Sequence, residues 1–255
     1  MNLYEFVQEK FLVWVLALTR IAGMFTVAPF FGDWFLPVQV KALLAVFLSW
    51  LVVPALQQVV PLDVPVLSLV LAMLNNYLYG LVVGFLALLP LSGLSLAGEV
   101  FGTQMGYAMS SVFDPQREEV PLHGELLYTI GLFVFVTIKG HLLLYQAIVD
   151  SFKHFSLTDS LERLNFLDII INKISESFVI AFKFGMPLIG FMLIVSVALG
   201  ILSRLVPQMN VFMVGLPLKV LVGMLLMVGM IGIWAEMSTQ LAEKMINFIE
   251  FFMNR

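Results

Sequence analysis

Side chains that could act as nucleophiles, general bases or metal ligands are few and widely spaced in this sequence. The three histidines, His123, His141 and His154, lie outside any His-Glu-x-x-His pattern, and there is no cysteine, so no metal site is indicated. Ser95, in a Gly-Leu-Ser sequence, could be paired with His141 as nucleophile and base, but the surrounding motif of such an enzyme is missing. The sequence therefore predicts no catalytic residue, no cofactor and no enzymatic activity.

Charged side chains inside apolar runs are the next candidates for a special role. Arg20 has nine uncharged residues before it and twelve after it, and a base at the bilayer centre costs about 2.5–3.5 kcal/mol. Lys139, Lys183 and Lys219 also lie inside or near the ends of apolar runs, and for Lys139 and Lys183, which are nearer the segment ends, snorkelling to the interface would suffice. Because Glu99 is the main acid in a comparable setting, we expect some partner groups for these bases to come from other subunits.

The stretch GEVFGTQMGYAMSSVFDPQ, residues 98–116, is unusually rich in small residues. Gly98, Gly102, Gly106 and Ser110 recur at four-residue spacing, which would give one face of a helix no side chain larger than a hydroxymethyl group. Such a face permits close backbone approach by a neighbouring helix. On this spacing alone, a re-entrant packing helix followed by a turn is the favoured interpretation, ahead of a functional role.

The same stretch contains two methionines and a proline that indicate a flexible contact and a helix end. Met105 and Met109 are one turn apart, and flexible thioethers suit a contact that must form and break. The helix is expected to end before Asp114-Pro115, because proline disfavours helical geometry in the residue that precedes it.

A second polar cluster follows the fifth apolar segment. It contains Arg204, Pro207, Gln208, Asn210, Gly215 and Pro217. Pro207 is expected to interrupt the helix, and Arg204 and Gln208 are one turn apart. Broken helices at membrane depth are tolerated only where protein or a water-filled path surrounds them. A polar hairpin connector would explain the cluster equally simply, but two breaks in one chain favour a conduit.

The elements that must position these residues are apolar helices. Of 255 residues, 61% are hydrophobic and 12% charged, with a mean hydropathy of +1.01, whereas a soluble domain carries roughly 25% charged residues. The net charge of −4 gives no indication of nucleic-acid binding. Segments of membrane-spanning length without strand-like alternation predict an all-α integral membrane protein. The six segments are 11–31, 42–61, 65–91, 125–149, 177–203 and 211–235.

The remaining parts of the chain indicate one domain, residues 1–255. A mixed-charge connector at 150–176 is predicted to be a partly helical, solvated loop, and residues 236–255 an amphipathic helical tail. The first apolar segment lacks the basic start and cleavage site of a signal peptide. The distribution of Lys and Arg weakly favours cytoplasmic termini.

Several motifs occur in the order found in one family of export proteins. They are GEVFGTQMGYAMSSVFDPQ, KGHLLLYQAIVDSF and ALGILSRLVPQMNVFMVGLPLKVLVGM, preceded by RIAGMFTVAPFFG and PVQVKALLAVFLSWLVVP. With these motifs the chain resembles, over essentially its whole length, the FliR family, the R component of the flagellar type III export gate, and is similar to the corresponding injectisome proteins.

The resemblance implies helical hairpins packed into an export gate in the bacterial inner membrane and flagellar basal body. The implied partners are the FliP and FliQ subunits, the FlhB-type switch protein, unfolded export substrates and membrane lipid, with no nucleic acid and no cofactor. The loop at 106–115 is implied to act as the channel plug. The implied plug and gating residues are Gln104, Met105, Gly106, Met109, Phe113, Asp114 and Pro115. Gly98, Glu99 and Gly102 are implied to support helix packing beside it.

Two alternatives to a channel subunit follow from the same residues. A secondary transporter for a small anionic solute would use the broken helices and Arg204 at mid-membrane. An assembly scaffold would nucleate the gate without lining the export path. The sequence does not distinguish flagellar from virulence secretion.

Overall fold

The computed structural model consists of α-helices joined by short connections throughout the part of the chain that it describes. The described residues are 3–32, 36–56, 60, 65–107, 122–158, 166–208 and 210–253. Their helices are α1 (Leu3–Val27), α2 (Val38–Val52), α3 (Val66–Met105), α4 (Leu122–Thr137), α5 (Gly140–His154), α6 (Phe166–Leu205) and α7 (Val211–Met253), with a 3-10 turn at Val53–Ala55. The predicted all-α membrane fold class is confirmed.

Most of the predicted apolar segments correspond to helices long and apolar enough, by length and composition, to cross a membrane. Five such helices lie within the described ranges, and α4 and α5 together are a bent pair that gives a sixth if the two are counted as one span. The five stretches are Lys10–Val27, Val38–Ala55, Val66–Met105, Ile170–Leu205 and Met213–Met237.

Helix α3 is longer than its predicted segment, because it continues past residue 91 to Met105 with Pro90 inside it. The predicted end of the third segment at residue 91 is therefore wrong, and the helix predicted for residues 98–105 is continuous with that segment. Proline in a helix interior removes the hydrogen bond to the carbonyl four residues earlier and its ring crowds that carbonyl, but the apolar sequence continues on both sides of Pro90 and the helix continues with it. A helix of 40 residues has a contour length of about 60 Å, roughly twice the hydrocarbon thickness of a bilayer.

The predicted fourth segment, 125–149, is divided at Ile138–Lys139, where the chain bends by 68°. Lys139 has φ 62° and ψ 30°, a left-handed conformation that is unfavourable for a residue with a side chain. Its carbonyl accepts the N–H of Leu142 at 2.9 Å, which begins α5. A methyl group at Gly140 would overlap the ring of Phe135, so the tight turn also depends on a glycine.

The helix break predicted at Pro207 is confirmed, since α6 ends at Leu205 and α7 begins at Val211. The assignment of Gly215 and Pro217 to the same break is wrong, because both lie within α7. Pro217 is in the second turn of α7, where the only carbonyl that loses its donor is that of Met213.

The structure changes the bounds of two other predicted segments, the mixed-charge connector at 150–176 and the helical tail at 236–255. In the mixed-charge connector, α5 continues to His154 and α6 starts at Phe166; residues 159–165 lie outside the described residues. The predicted helical tail is the final part of α7, which ends at Met253.

The chain divides into two compact units. The first contains Met1–Leu89, Phe135–Lys173 and Ala242–Arg255, and the second contains Pro90–Val134 and Ile174–Leu241.

In the first unit, helices α1 and α3 are in backbone contact at glycines. A methyl group added at Gly23 would overlap the carbonyl of Tyr77, and one added at Gly80 would overlap the carbonyl of Arg20. Small residues at these positions allow the two backbones to approach closely. The adjoining core buries apolar side chains from α1, α2, α3 and α5 and from the connections that follow α2 and α5. They are Val13, Leu16, Ala17, Val52, Leu56, Val60, Ala72, Phe152 and Leu157.

Candidate functional site

The end of helix α3, in the second unit, has the hydrogen bonds of a Schellman motif. The N–H of Tyr107 donates to the carbonyl of Gly102 at 3.2 Å, and the N–H of Gly106 donates to the carbonyl of Thr103 at 3.0 Å. Gly106 has φ 96°, a conformation that glycine adopts without the strain a side chain would introduce. The sequence thus stops α3 at a defined residue.

This helix end corrects the predicted glycine face. Gly98 and Gly102 lie within α3, but Gly106 lies one residue beyond the last helical residue, Met105. The four-residue spacing therefore describes a helix face only as far as Gly102, because the left-handed φ of Gly106 turns the chain out of the helix. Ser110 lies outside the described residues.

His123, in the first turn of α4, occupies the space left open at Gly102. A Cβ atom built on Gly102 would lie 3.0 Å from Nδ1 and 3.6 Å from the Cβ of His123. The imidazole is 6% exposed, and its ring centroid lies 4.6 Å from that of Tyr107 and 5.8 Å from that of Phe101. His123 therefore contacts both the last turn of α3 and the first residues after it.

Helices α3 and α4 are also in direct backbone contact below His123. A methyl group at Gly98 would overlap the carbonyl of His123, and one at Gly124 would lie 2.9 Å from the carbonyl oxygen of Ser95 and from Cγ of Glu99. Since backbone atoms cannot rotate away as side chains do, these glycines are required for the packing. At Gly98 and Gly102 the helix in close contact with α3 is α4.

The other side of the α3 terminus lies against helix α7. Met105 is fully buried, and a methyl group at Gly223 would lie 2.6 Å from its Cε atom. Next to it, a Cβ atom on Gly106 would lie 2.7 Å from Cδ2 of Leu216. An apolar groove of about 590 Å³ opens beside Gly106 and Tyr107, lined on the α7 side by Leu216, Pro217, Val220, Leu221 and Met224.

The predicted plug residues are thus only partly visible. Gln104 is half-buried in the last turn of α3, followed by the buried Met105 and the turn residue Gly106. Glu99 is exposed. The other predicted gating residues lie outside the described residues: Met109, Phe113, Asp114 and Pro115.

A second polar site is centred on Arg20 in the first unit. Arg20 is 0% exposed, and its Nε donates to Oδ1 of Asn76 at 2.9 Å. Its Nη1 donates to Oγ of Ser151 at 3.2 Å and to the carbonyl of Phe155 at 3.3 Å. Its Nη2 donates to the carbonyls of Phe155 and Ser156 at 3.3 and 3.5 Å. A guanidinium has five N–H donors, so these acceptors provide for every nitrogen.

These partners of Arg20 are neutral groups, and two further features favour its charge. Phe155 and Ser156 follow the C-terminus of α5, where the helix dipole is negative. The guanidinium carbon also lies 4.4 Å from the ring centroid of Phe152 and 5.2 Å from that of Tyr79, within the range of cation–π attraction.

For Arg20, the expectation that partner groups come from other subunits is therefore corrected. Its acceptors come from this chain, on α3 and at the end of α5, and Arg20 needs no other subunit for its hydrogen bonds. Asn76 reinforces the site, because its Nδ2 donates to the carbonyls of Ala72 and Leu157 at 2.7 and 2.8 Å. For Lys183, which is exposed, and Lys219, which is half-buried, a partner from another subunit stays a prediction.

In the polar cluster after α6, the exposed residues are Arg204, Pro207, Gln208 and Asn210. Arg204 is in the last turn of α6, where a cation interacts favourably with the helix dipole. Asn210 caps α7, since its carbonyl accepts the N–H of Met213 at 3.0 Å and its Oδ1 lies 3.4 Å from the same nitrogen. This geometry is that of a helix N-terminal cap.

Sequence reasoning missed the side chains that complete both sites. From the sequence, His123 is a candidate only as a metal ligand, and no spacing pattern links it to Gly102 or Tyr107. Asn76 and Ser151 are 56 and 131 residues from Arg20 and share no spacing pattern with it. Within the described ranges, no group of three His, Asp or Glu side chains is placed to hold a metal ion.

The sequence has clear relatives among known proteins. Residues 11–245 match the model of the family described as bacterial export proteins, family 1. The flagellar biosynthetic protein FliR of Bacillus subtilis is 31% identical, with 86% of each chain covered. FliR of Buchnera aphidicola subsp. Acyrthosiphon pisum is 30% identical over 92% of this chain and 90% of its own. FliR of Escherichia coli is 28% identical over 94% of both.

Proposed function

The chain belongs to the family of bacterial export proteins, family 1, and on that premise we propose that it is a channel-forming subunit of the flagellar type III export gate. It is a membrane component of the flagellar export apparatus, in keeping with the names of its FliR relatives and with its long apolar helices. Its substrates are unfolded flagellar proteins, and its place is the bacterial inner membrane at the flagellar basal body. Its function depends on packing and gating, not on catalysis.

The observation that carries this proposal is the construction of the α3 terminus. A defined helix stop at Gly106, a buried Met105 and a ring contact between Tyr107 and His123 form a firm base from which the next segment starts. We propose that residues 106–115 are the plug of the channel, with Met109 and Phe113 sealing the path and the Asp114-Pro115 turn fixing its shape. Gln104 and Met105 support the plug from the last turn of α3.

The proposed partners are FliP, FliQ, the FlhB-type switch protein and the surrounding lipid. In the second unit, α6 exposes large apolar side chains such as Phe182, Met186 and Ile194, and α7 exposes Leu225 and Val228. A methyl group added at Gly190, Gly200, Gly229 or Gly232 would meet nothing within 4 Å. These faces support a chain that packs against other apolar proteins, since small residues at helix surfaces permit close approach.

Copurification separates a gate subunit from a transporter or other self-sufficient protein. The tagged chain, extracted from bacterial membranes in mild detergent, is expected to bring down several small apolar proteins in fixed ratio. A homogeneous monomer or dimer that transports a small anion after reconstitution would contradict the proposal.

Crosslinking to a stalled export substrate separates a path-lining subunit from a scaffold. A photoreactive residue at Met109 or Phe113 is expected to form an adduct with the substrate, whereas the same residue at Leu43, exposed on α2, is expected to form none. Adducts absent from every position between 105 and 113, in gates that still export, would contradict the pore-lining role.

A further inference from the structure

We infer that His123 is a positioning residue that fastens the end of α3 to the start of α4, and that this junction stays closed while the gate transports. The inference rests on the proposed function, and it identifies a fixed part of the gate. Any movement that opens the channel then takes place outside the junction, which is defined as Gly98, Gly102, Tyr107, His123 and Gly124.

The first support is that the junction brings together Tyr107 and His123, which are separated in sequence but in contact in space. Tyr107 is the last described residue after α3, and His123 is the second residue of α4. Their ring centroids are 4.6 Å apart with an interplanar angle of 65°, an edge-to-face arrangement that aromatic groups favour. The two ends of the intervening segment are therefore held together by His123.

The second support is that residues of α3 closely surround the ring of His123. It fills the notch at Gly102, where any side chain would compete with it for the same space. It also lies edge-on to Phe101, a fully buried residue of α3. The ring therefore contacts Phe101, Gly102 and Tyr107 at once, and a change in its position would break all three contacts.

The third support is the backbone contact directly beneath the ring. A methyl group at Gly98 would overlap the carbonyl of His123, and one at Gly124 would lie 2.9 Å from the carbonyl oxygen of Ser95, so the two helices are in close backbone contact at both glycines. Close-packed interfaces have discrete arrangements and do not deform continuously. The packing therefore favours a joint that stays closed over one that opens in each transport cycle.

A disulfide across the junction tests whether it stays closed. The chain has no cysteine, and a Cβ atom at Gly102 would lie 3.6 Å from the Cβ of His123, within the range of about 3.5–4.5 Å that disulfides require. The double variant Gly102→Cys with His123→Cys is expected to form the bond under oxidation in assembled gates, seen as a mobility shift on a non-reducing gel. Secretion by the crosslinked gates is expected to equal that after reduction.

Matched variants make this result specific. The pair Gly185→Cys with Ala97→Cys, whose Cβ atoms would be 3.7 Å apart, places a disulfide between α6 and α3 in the same unit. Both single variants of the junction pair report the effect of losing either native residue. Secretion that stops on oxidation and returns with reductant only in the junction pair would overturn the inference while leaving the role in export intact. Failure of the junction disulfide to form would overturn it as well.

A second test measures the positioning role of the imidazole ring itself. His123→Ala is expected to raise ion leak through resting gates about tenfold, the factor that corresponds to 1.4 kcal/mol, with the yield of assembled gates unchanged. His123→Phe keeps a ring in the notch and is expected to restore a tight gate. Equal leak in wild type and His123→Ala would overturn the inference, as would equal leak in the Ala and Phe variants. If deleting residues 106–113 also causes no leak, the proposed plug fails together with it.

Discussion

At the scale of single residues, the most demanding side chain is the buried guanidinium of Arg20. Its cost in an apolar interior is offset by acceptors on three segments of one unit, by the C-terminal dipole of α5 and by two aromatic faces. Such an arrangement depends on the planar five-donor geometry of arginine, which lysine cannot reproduce. Arg20 is therefore a structural residue that joins α1, α3 and the end of α5.

Arg20→Lys is expected to lower the free energy of unfolding by about 1.5–3 kcal/mol, because the remaining acceptors lose hydrogen bonds to a charged donor. Unfolding of the purified chain in detergent measures this loss. The matched control is Arg204→Lys at the exposed end of α6, for which a change within about 0.5 kcal/mol is expected. Equal losses of unfolding free energy in the two variants would show that the buried Arg20 contributes no more to stability than the exposed Arg204.

Two helix glycines of the second unit offer a second comparison at the residue scale. Gly98→Ala would force a methyl group against the carbonyl of His123, and we expect it to destabilise the chain by about 1–3 kcal/mol. Gly190→Ala meets nothing within 4 Å and should be neutral or stabilising by up to about 1 kcal/mol, since alanine is the better helix former. Thermal unfolding of both variants in detergent measures the two changes in stability. A larger loss in Gly190→Ala than in Gly98→Ala would contradict the described α3–α4 contact.

At the scale of elements, the bend between α4 and α5 is the least expected feature. An apolar run of the length of one membrane span contains a left-handed lysine and changes direction by 68°. The strain at Lys139 is tolerated because Gly140 and Phe135 pack closely around the turn. The bend is therefore a property of the fold that hydrophobicity alone does not encode.

Lys139→Gly is expected to stabilise the chain by about 1 kcal/mol, because glycine adopts the left-handed conformation without the penalty of a Cβ atom. Lys139→Ala removes the same charge but keeps the Cβ atom, so it should bring no such gain. Unfolding midpoints of the two variants in detergent provide the measurement. A gain of equal size in both would assign the effect to the charge and not to the backbone.

At the scale of the whole molecule, the sequence was informative wherever run length and composition decide the outcome. The all-α class, the apolar helices and the break at Pro207 follow from such features. The extent of α3 and the helical state of Pro217 do not, because a proline inside a helix is tolerated or not according to its neighbours. The contacts of His123 and Arg20 depend on residues brought together only by tertiary packing, such as Ser151, 131 positions from Arg20.

The central claim of the account is that residues 106–113 close an export channel from a base at the end of α3. The most direct measurement is the ion permeability of membranes that contain assembled gates in which these residues are deleted, with assembly verified by copurification of the partner subunits. The account predicts that the deletion makes the membranes leaky to ions and small solutes, while wild-type gates remain tight. Unchanged permeability in fully assembled deletion gates would contradict it.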